Sequence, residues 1–326
     1  MNDLLATAAG SRVVVIGDLI ADEYIVGRVA RVSREAPVLI LEYDSTQMMP
    51  GGAGNAAANV AALGGRVTLI TLLGRDDAGR RVREALPAGV SRRGLLTPAG
   101  FQTPVKTRIL AGGVHSAKQQ VVRIDRRSPS RITAEDRAAI RRAALAALPS
   151  ADAVLMSDYG SGIVTPALGR AVGAAARRRG IPVLVDSRYA LTKFRGLTAC
   201  APNESEVEAA LGVDLDDSPR ALEAAGRTLL EQTRMRAVII TRGSRGMAVF
   251  EPGQPTLHLP IYGSDEIADV TGAGDTVMAA LTLAMAAGAS AGEAAQVANV
   301  AGGLVVMKRG TATVSAAELS RALSHG

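Results

Sequence analysis

The stretch Asp269-Val270-Thr271-Gly272-Ala273-Gly274-Asp275-Thr276 carries the densest chemistry in this chain. Its glycines and alanine leave the backbone nearly bare. A small, Ala-rich run from Val277 to Ala287 follows at once, so the glycines open a helix. The first N–H groups of a helix have no partners inside it, and the macrodipole adds positive potential there. Bare backbone lets an anion approach those donors closely. Asp275 stands in the same turn, and a carboxylate beside an anion site is useful chiefly for handling a proton. The stretch reads as an anion hole with a general base next to it, which suits transfer of a phosphoryl group to a hydroxyl. A Gly-rich turn capped by Asp275 is the plainer reading of the same residues.

Other segments support the first reading. Pro50-Gly51-Gly52-Ala53-Gly54-Asn55 opens a second small-residue helical run, Ala53 to Leu63. A ligand can lie against such backbone, and the Asn55 amide can donate to and accept from sugar hydroxyls; a helix start built from glycines is the alternative. Asp18 and Asp22 lie four apart across a strand end, placed to accept from hydroxyls or to make turns. Asn203 and Glu206, three apart at a helix start, share a face. They suit a Mg²⁺ held through water, or a capping box with Asn203 as N-cap; the two roles are compatible. Thr241-Arg242-Gly243-Ser244-Arg245-Gly246 offers Thr241 and backbone N–H groups, Gly243 and Gly246 among them, to nucleotide phosphates, or is a hairpin turn. His115, His258 and His325 show no metal-ligand spacing, and Cys200 reads as a small core residue.

These residues need a frame that brings them together. Arg12 to Ile16 is a short β-branched run ending at Gly17-Asp18, and Val67 to Leu73 is another. Ala153 to Met156, Pro182 to Val185, and the pair Val238 to Thr241 and Met247 to Phe250 also read as strands. Pro166 to Arg178, Glu204 to Leu211, Ala273 to Ala287 and Ala291 to Met307 read as helices. This β-α-β rhythm implies a parallel sheet with helices on both faces. Ligands bind outside the carboxyl ends of such strands. Asp18, Asp158, Asp186 and Asn203 all follow strand-like runs, which puts them on one rim; each alone could instead cap a helix or make a turn. Two segments break the rhythm. Tyr24 to Tyr43 and Val105 to Ile124 alternate polar and apolar residues, and could pair as a small sheet over one edge. Such a sheet is either a lid that excludes water or a plain β excursion.

The chain has 326 residues, of which 48% are hydrophobic, long enough to bury a large core. No secretory leader is expected from Met1 to Gly10, and no run of about 18 apolar residues predicts a membrane span. A single cysteine excludes an internal disulfide and fits a reducing cytoplasm. The net charge is +6, but only Lys106, Lys118, Lys193 and Lys308 are lysines, the arginines are scattered, Trp is absent and only three Phe occur. Nucleic acid is therefore not an expected partner.

Taken together the motifs resemble the ribokinase (PfkB) family of carbohydrate kinases over nearly the whole chain. Pro50 to Asn55 is similar to that family's N-terminal glycine signature. Asp269 to Thr276 is similar to its C-terminal one, with Val270 where Thr is usual. Within the family the chain looks most like the heptose 7-phosphate kinases of ADP-heptose synthesis. The carrying residues are Gly17 to Tyr24, Arg31-Val32-Ser33-Arg34-Glu35-Ala36-Pro37-Val38, Gln119 to Asp125, Ser157 to Gly162, Pro202 to Glu206 and Lys308 to Val314. Arg34, Lys118 and Asp186-Ser187-Arg188 depart from that subgroup near the presumed sugar side.

The resemblance implies an α/β fold: a three-layer α/β/α sandwich with a mostly parallel central sheet and a small β lid. It implies one kinase domain over 1–326, with the lid formed by about 21–45 and 104–125. Many members of the subgroup carry a fused nucleotidyltransferase domain; none is expected here, so only the kinase step is implied. That step is ATP-dependent phosphorylation of a sugar phosphate. Asp275 would act as base and the N–H groups of Gly272, Ala273 and Gly274 would steady the transferring group, with Mg²⁺ near Asn203 and Glu206. Asp18, Asp22, Gly51, Gly52, Asn55 and Asp158 would line the sugar site, and Lys106, Arg108 or Arg123 would bind a substrate phosphate. Thr241, Gly243, Gly246 and Asn299 would meet the nucleotide. A homodimer through the lid is expected from the resemblance. A kinase for another sugar or a nucleoside, or a regulator that binds without catalysing, are the competing readings.

Overall fold

Alternation of short β-branched runs with Ala-rich helices decides the architecture. A computed structural model of the chain describes residues 2–112, 118–216, 218–263, 269–308, 310 and 312–325. Its strands are Arg12–Gly17 (β1), Leu19–Val32 (β2), Leu39–Gly52 (β3), Arg66–Leu72 (β4), Val90–Ser91 (β5), Leu95–Leu96 (β6), Val105–Gly112 (β7) and Gln119–Arg126 (β8). Then come Ala153–Asp158 (β9), Val183–Ser187 (β10), Ala199–Cys200 (β11), Ala237–Thr241 (β12), Met247–Phe250 (β13) and Leu257–Leu259 (β14). The helices are Asn2–Ala8 (α1), Ala53–Ala62 (α2), Asp77–Ala85 (α3), Ala134–Ala147 (α4), Pro166–Arg177 (α5), Glu204–Leu211 (α6), Pro219–Thr233 (α7), Ala273–Ala286 (α8), Ala291–Val306 (α9) and Ala316–His325 (α10).

Among the described residues ten strands form the main sheet, in the order β14-β13-β12-β11-β10-β9-β1-β4-β5, with β6 also on β4. Pairing is parallel from β12 through β1 to β5 and antiparallel only for β12–β13 and β13–β14. Successive side chains of a strand point to opposite faces, and the cores divide accordingly. Val13 and Val15 of β1 pack with α2, α8 and α9, while Val14 and Ile16 pack with α4, α5 and α7. Helix α8 is buried along most of its length, as an apolar helix flanked by α2, α9 and the sheet must be. Cys200 is fully buried in the second core, and burial pushes its thiol up.

The second sheet has the order β3-β2-β7-β8. The distant segments meet through the parallel pair β2–β7, so the expected lid exists as a sheet of its own. Only Asp18 separates β1 from β2, and β3 runs directly into α2. The lid therefore springs from the carboxyl end of the main sheet, where Leu19 pairs with Gly52. Helices α1, α3, α4, α7 and α10 and strands β5, β6, β11 and β14 are additions that the β-α-β reading did not include.

Candidate active site

The site gathers at the carboxyl ends of β1, β9 and β10, between the N-termini of α2 and α8 and beneath β2 and β7. Gly272 precedes α8 at φ 80°, a left-handed conformation that glycine adopts without steric cost. The chain thereby turns straight into the helix and buries Asp275 in its first turn. The Asn55 amide donates to Asp275 Oδ2 at 2.8 Å and the Tyr159 hydroxyl donates to Oδ1 at 3.0 Å. Burial pushes the Asp275 carboxyl up to about 6; the two hydrogen bonds and the charge of Arg188 oppose that rise, and the charge of Asp22 adds to it. A carboxylate in this range is ionised at neutral pH yet basic enough to take a hydroxyl proton in a transition state.

Open space adjoins Gly274, whose N–H, at the second position of the helix, lacks an intrahelical partner. Ala273 differs from expectation: its N–H closes a turn on the Val270 carbonyl at 3.2 Å, so it is not a free donor. Gly272 supplies the turn, and its carbonyl accepts from Thr276 N–H.

Several expected sugar contacts are spent inside the protein. Asn55 faces the base, and its own Oδ1 accepts from Asn59, which in turn accepts from the Thr276 hydroxyl at 2.9 Å. This polar chain ties the first turns of α2 and α8 together. Asp18 is buried and accepts from the N–H groups of Tyr159 (2.8 Å) and Ser161 (3.1 Å) and from the Ser161 hydroxyl. Its burial raises its pKa, against those bonds. Asp158 accepts from Gly160 N–H at 3.0 Å and from the Ser187 hydroxyl at 2.7 Å. Asp18 and Asp158 thus shape the loop after β9 and aim Tyr159 at Asp275; both carboxylates already have donors. Asp22 is ion-paired with Arg108, whose guanidinium lies 5.3 Å from the Tyr24 ring centre. Gly51 is needed there: a Cβ would lie 2.0 Å from Asp22 Oδ2. Gly52, at φ 57°, brings its Cα against the Asp18 carbonyl, where a Cβ would lie 2.4 Å away.

The lid cations separate. Arg123 pairs with Asp125 at 2.6 Å on the exposed strand β8. Lys106 is half-buried on β7, with its Nζ 5.3 Å from the Tyr159 ring centre. Burial, then Arg188, lowers its pKa. Arg188, just past β10, lies 4.3 Å from the same ring centre. Asp186, at the end of β10, is pushed up to about 8 by burial and then by the charges of Glu206 and Asp275.

The residues expected to meet the nucleotide lie further along the rim. Asn203 and Thr241 bridge to each other, and both line an open groove of about 970 Å³ together with Ser205, Gly243 and Ser244. Asn203 and Glu206 form the capping box: Asn203 Oδ1 accepts from Glu206 N–H at 2.9 Å and Glu206 Oε2 accepts from Asn203 N–H at 3.0 Å. Among the described residues no three metal-ligating side chains stand together. Gly246 and Asn299 take other roles. The Gly246 N–H donates to Gly243, and its Cα is packed against the Leu259 carbonyl. The Asn299 amide donates to the Pro260 carbonyl at 2.7 Å, tying α9 to the segment after β14. His258 lies on exposed β14; His115, Arg309, Thr311 and the His325 side chain fall outside the described residues.

Tyr159 and Arg188, which act on Asp275, are the site residues that motif reading passed over. Tyr159 had a signal: it is one of five Tyr in a chain with three Phe and no Trp, and it directly follows a buried strand at the binding rim.

A buried carboxylate at a glycine-opened helix start, at the carboxyl rim of a parallel sheet and under a β lid, suits a sugar-kinase type of phosphotransferase. The pfkB family carbohydrate kinase profile matches residues 11–318. The chain belongs to that family and is an ATP-dependent carbohydrate kinase. It is 43% identical over 334 aligned positions to the "Bifunctional protein HldE" of Caulobacter vibrioides, covering 99% of this chain and 66% of that protein. It is 41% identical to the protein of the same name from Geobacter sulfurreducens, covering 100% of this chain and 66% of that one. The chain thus spans just under two thirds of these relatives. Its fold is that of Arabidopsis thaliana ribokinase in complex with ribose and ATP (TM-score 0.71, 22% identity, covering 97% of this chain and 99% of that one). It is likewise that of Escherichia coli phosphofructokinase-2 with fructose-6-phosphate (TM-score 0.75, 18% identity, covering 97% and 99%). Among the described residues no helix is long and apolar enough to cross a membrane.

Proposed function

We propose that this kinase transfers the γ-phosphoryl group of ATP to the anomeric hydroxyl of a sugar phosphate, heptose 7-phosphate, giving the 1,7-bisphosphate. The observation that carries the reaction type is Asp275, buried, held on both oxygens by Asn55 and Tyr159, and next to the open face of Gly274. The heptose assignment rests on the runs Arg31 to Val38 and Ser157 to Gly162 and on the HldE relatives.

In this reading the acceptor hydroxyl donates to Asp275, which takes its proton as the bond to phosphorus forms. The dipole and N–H groups at the start of α8 steady the charge on the transferring group. Asp22, paired with Arg108, is left to orient hydroxyls beside the Gly51–Gly52 backbone. The groove bordered by Asn203, Thr241 and Gly243 takes the nucleotide. The donors near the base are carboxylate oxygens, Asp186 and Glu206, too few for an all-protein cage. They fit Mg²⁺, which keeps most of its water and binds chiefly through substrate phosphates. When bound, it neutralises phosphate charge. The lid leaves Val32, Leu39, Tyr43, Val122 and Ile124 exposed, which supports a second copy of this chain as partner across that face; analytical ultracentrifugation of wild type and Val122→Glu tests this, and a wild-type monomer at all concentrations refutes it.

The deciding experiment is ADP release from Mg·ATP with heptose 7-phosphate, fructose 6-phosphate, fructose, ribose and adenosine. Turnover on the heptose phosphate alone supports the full reading. Turnover on another acceptor keeps the mechanism and replaces the substrate. ATP binding with no turnover on any of them favours a regulator.

A further inference from the structure

The cations around the base divide into those already neutralised and those not. Arg108 is paired with Asp22, Arg123 with Asp125 and Arg126 with Glu23. Lys106 and Arg188 have no ion-pair partner among the described residues. Both lean on one aromatic ring instead, Arg188 at 4.3 Å and Lys106 at 5.3 Å from the centre of Tyr159. An aromatic face compensates a cation only in part. The two like charges repel, and Lys106 is half-buried; the carboxylates of Asp186, Glu206 and Asp275 act on Arg188, and those of Asp22 and Asp125 on Lys106, without pairing with either cation. Burial and then Arg188 lower the proton affinity of Lys106, while the charges of Asp22 and Asp125 oppose that fall. Such an arrangement leaves both cations free to pair directly with an entering dianion.

Tyr159 also sets a distance. Its hydroxyl touches Asp275 and its ring is approached by both cations, so an anion held by them stands about one aromatic ring away from the base. We propose that Lys106 and Arg188, set over Tyr159, form the subsite for the phosphate that the acceptor already carries, at the end remote from the hydroxyl that Asp275 deprotonates. The guanidinium offers two parallel N–H groups to phosphate oxygens and the ammonium a point charge. Lys106 rides on β7 of the lid and Arg188 on the loop after β10 of the main sheet. A bound phosphate would therefore link lid to body. This inference rests on the kinase reading above. It selects Lys106 from the three lid cations and adds Arg188, leaving Arg108 and Arg123 with their carboxylates.

The rival use of these cations is the transferring γ-phosphoryl group, which would make them matter equally for every acceptor. The test compares wild type, Lys106→Met, Arg188→Met and Arg188→Lys by ADP release, with heptose 7-phosphate and with unphosphorylated heptose. A lost charged hydrogen bond should raise KM for the phosphorylated acceptor by about 10–100-fold. It should cut the kcat/KM preference for that acceptor by about tenfold or more, with partial recovery in Arg188→Lys. Equal losses of kcat on both acceptors with KM preserved, or an unchanged preference, overturn the subsite. Circular dichroism and melting establish that each variant is folded. If wild type turns over neither acceptor, the kinase reading fails by itself. Calorimetric binding of heptose 7-phosphate and of inorganic phosphate to the same proteins still decides the subsite: weaker binding in both Met variants supports it, and equal binding overturns it.

Discussion

Replacing Asp275 by Asn should slow the enzyme and stabilise its fold. Burial raises the carboxyl from 3.8 to about 6, which corresponds to about 3 kcal/mol. The sign follows from proton counts. Between those two values the native state holds a proton that the unfolded chain has released, so stability falls as pH rises through the window. Above about 6 the native state carries the whole cost of a buried charge; below 3.8 it carries none. Asparagine imitates the protonated form. Its amide can donate to the Tyr159 oxygen while its carbonyl still accepts from Asn55, so both neighbours stay satisfied. In urea titrations at pH 8 the variant should exceed wild type by about 2–3 kcal/mol, with the advantage shrinking as pH falls through 6 towards 4. ADP release should drop by about 10²–10⁴-fold. A variant no more stable than wild type at pH 8, or an advantage independent of pH, would refute the claim that burial sets this carboxyl. A kcat close to wild type would remove Asp275 from the role of base.

Tyr159→Phe deletes a donor that favours the charged base, so the acidic midpoint of kcat/KM should move above that of wild type; an unmoved midpoint in the pH profile excludes this coupling. Gly51→Ala places a methyl 2.0 Å from Asp22 Oδ2 and must dislodge the Asp22–Arg108 pair. The expected cost is about 1–3 kcal/mol in chemical denaturation with a raised KM for the acceptor, and a wild-type KM would show that Asp22 does not touch it. Asn203→Ala removes the cap of α6 and should cost about 1 kcal/mol. It should also raise KM for Mg·ATP; a stability loss with unaltered KM would assign Asn203 to capping alone.

How far the fold could be read depended on how much apolar surface each element buries. β1, β4, β9, β10 and β12 are covered on both faces and read as near-continuous apolar runs. The two lid segments were legible by their alternation, and their pairing across the intervening chain by their sharing it. Helix α4 buries only Ile140 and Ala144, and α3 only Gly79 and Val82, so their apolar stripes are too thin to stand out among arginines and acids. Helix α7 is a different failure. Its buried Leu222, Ala225, Gly226, Leu229, Leu230 and Thr233 follow helical spacing, and Ser218 with Pro219 marks its start, so the signal was present and unused.

In the site, residue types were legible and partners were not. The sequence shows which polar groups reach the rim, because the strand ends put them there. It does not show which lone pairs are already filled, because the donors come from elsewhere in the chain: Asn55 reaches Asp275 across 220 residues, and Ser161 reaches Asp18 across 143. Side chains assigned to substrate therefore turned out to hold one another. Asp18 and Asp158 shape the loop after β9, Asn55 orients the base, and Arg108 and Arg123 answer Asp22 and Asp125. Part of that bonding converges on Tyr159. Its N–H is fixed by Asp18, its hydroxyl meets Asp275, and its ring carries Lys106 and Arg188. The acidic residues at the rim act on the reaction largely through the position they give this tyrosine, so a change at Asp18 should disturb Asp275 and the cations together, whereas a change at Arg123, which pairs with Asp125 and reaches Lys106 only through its charge, should leave Asp275 in place.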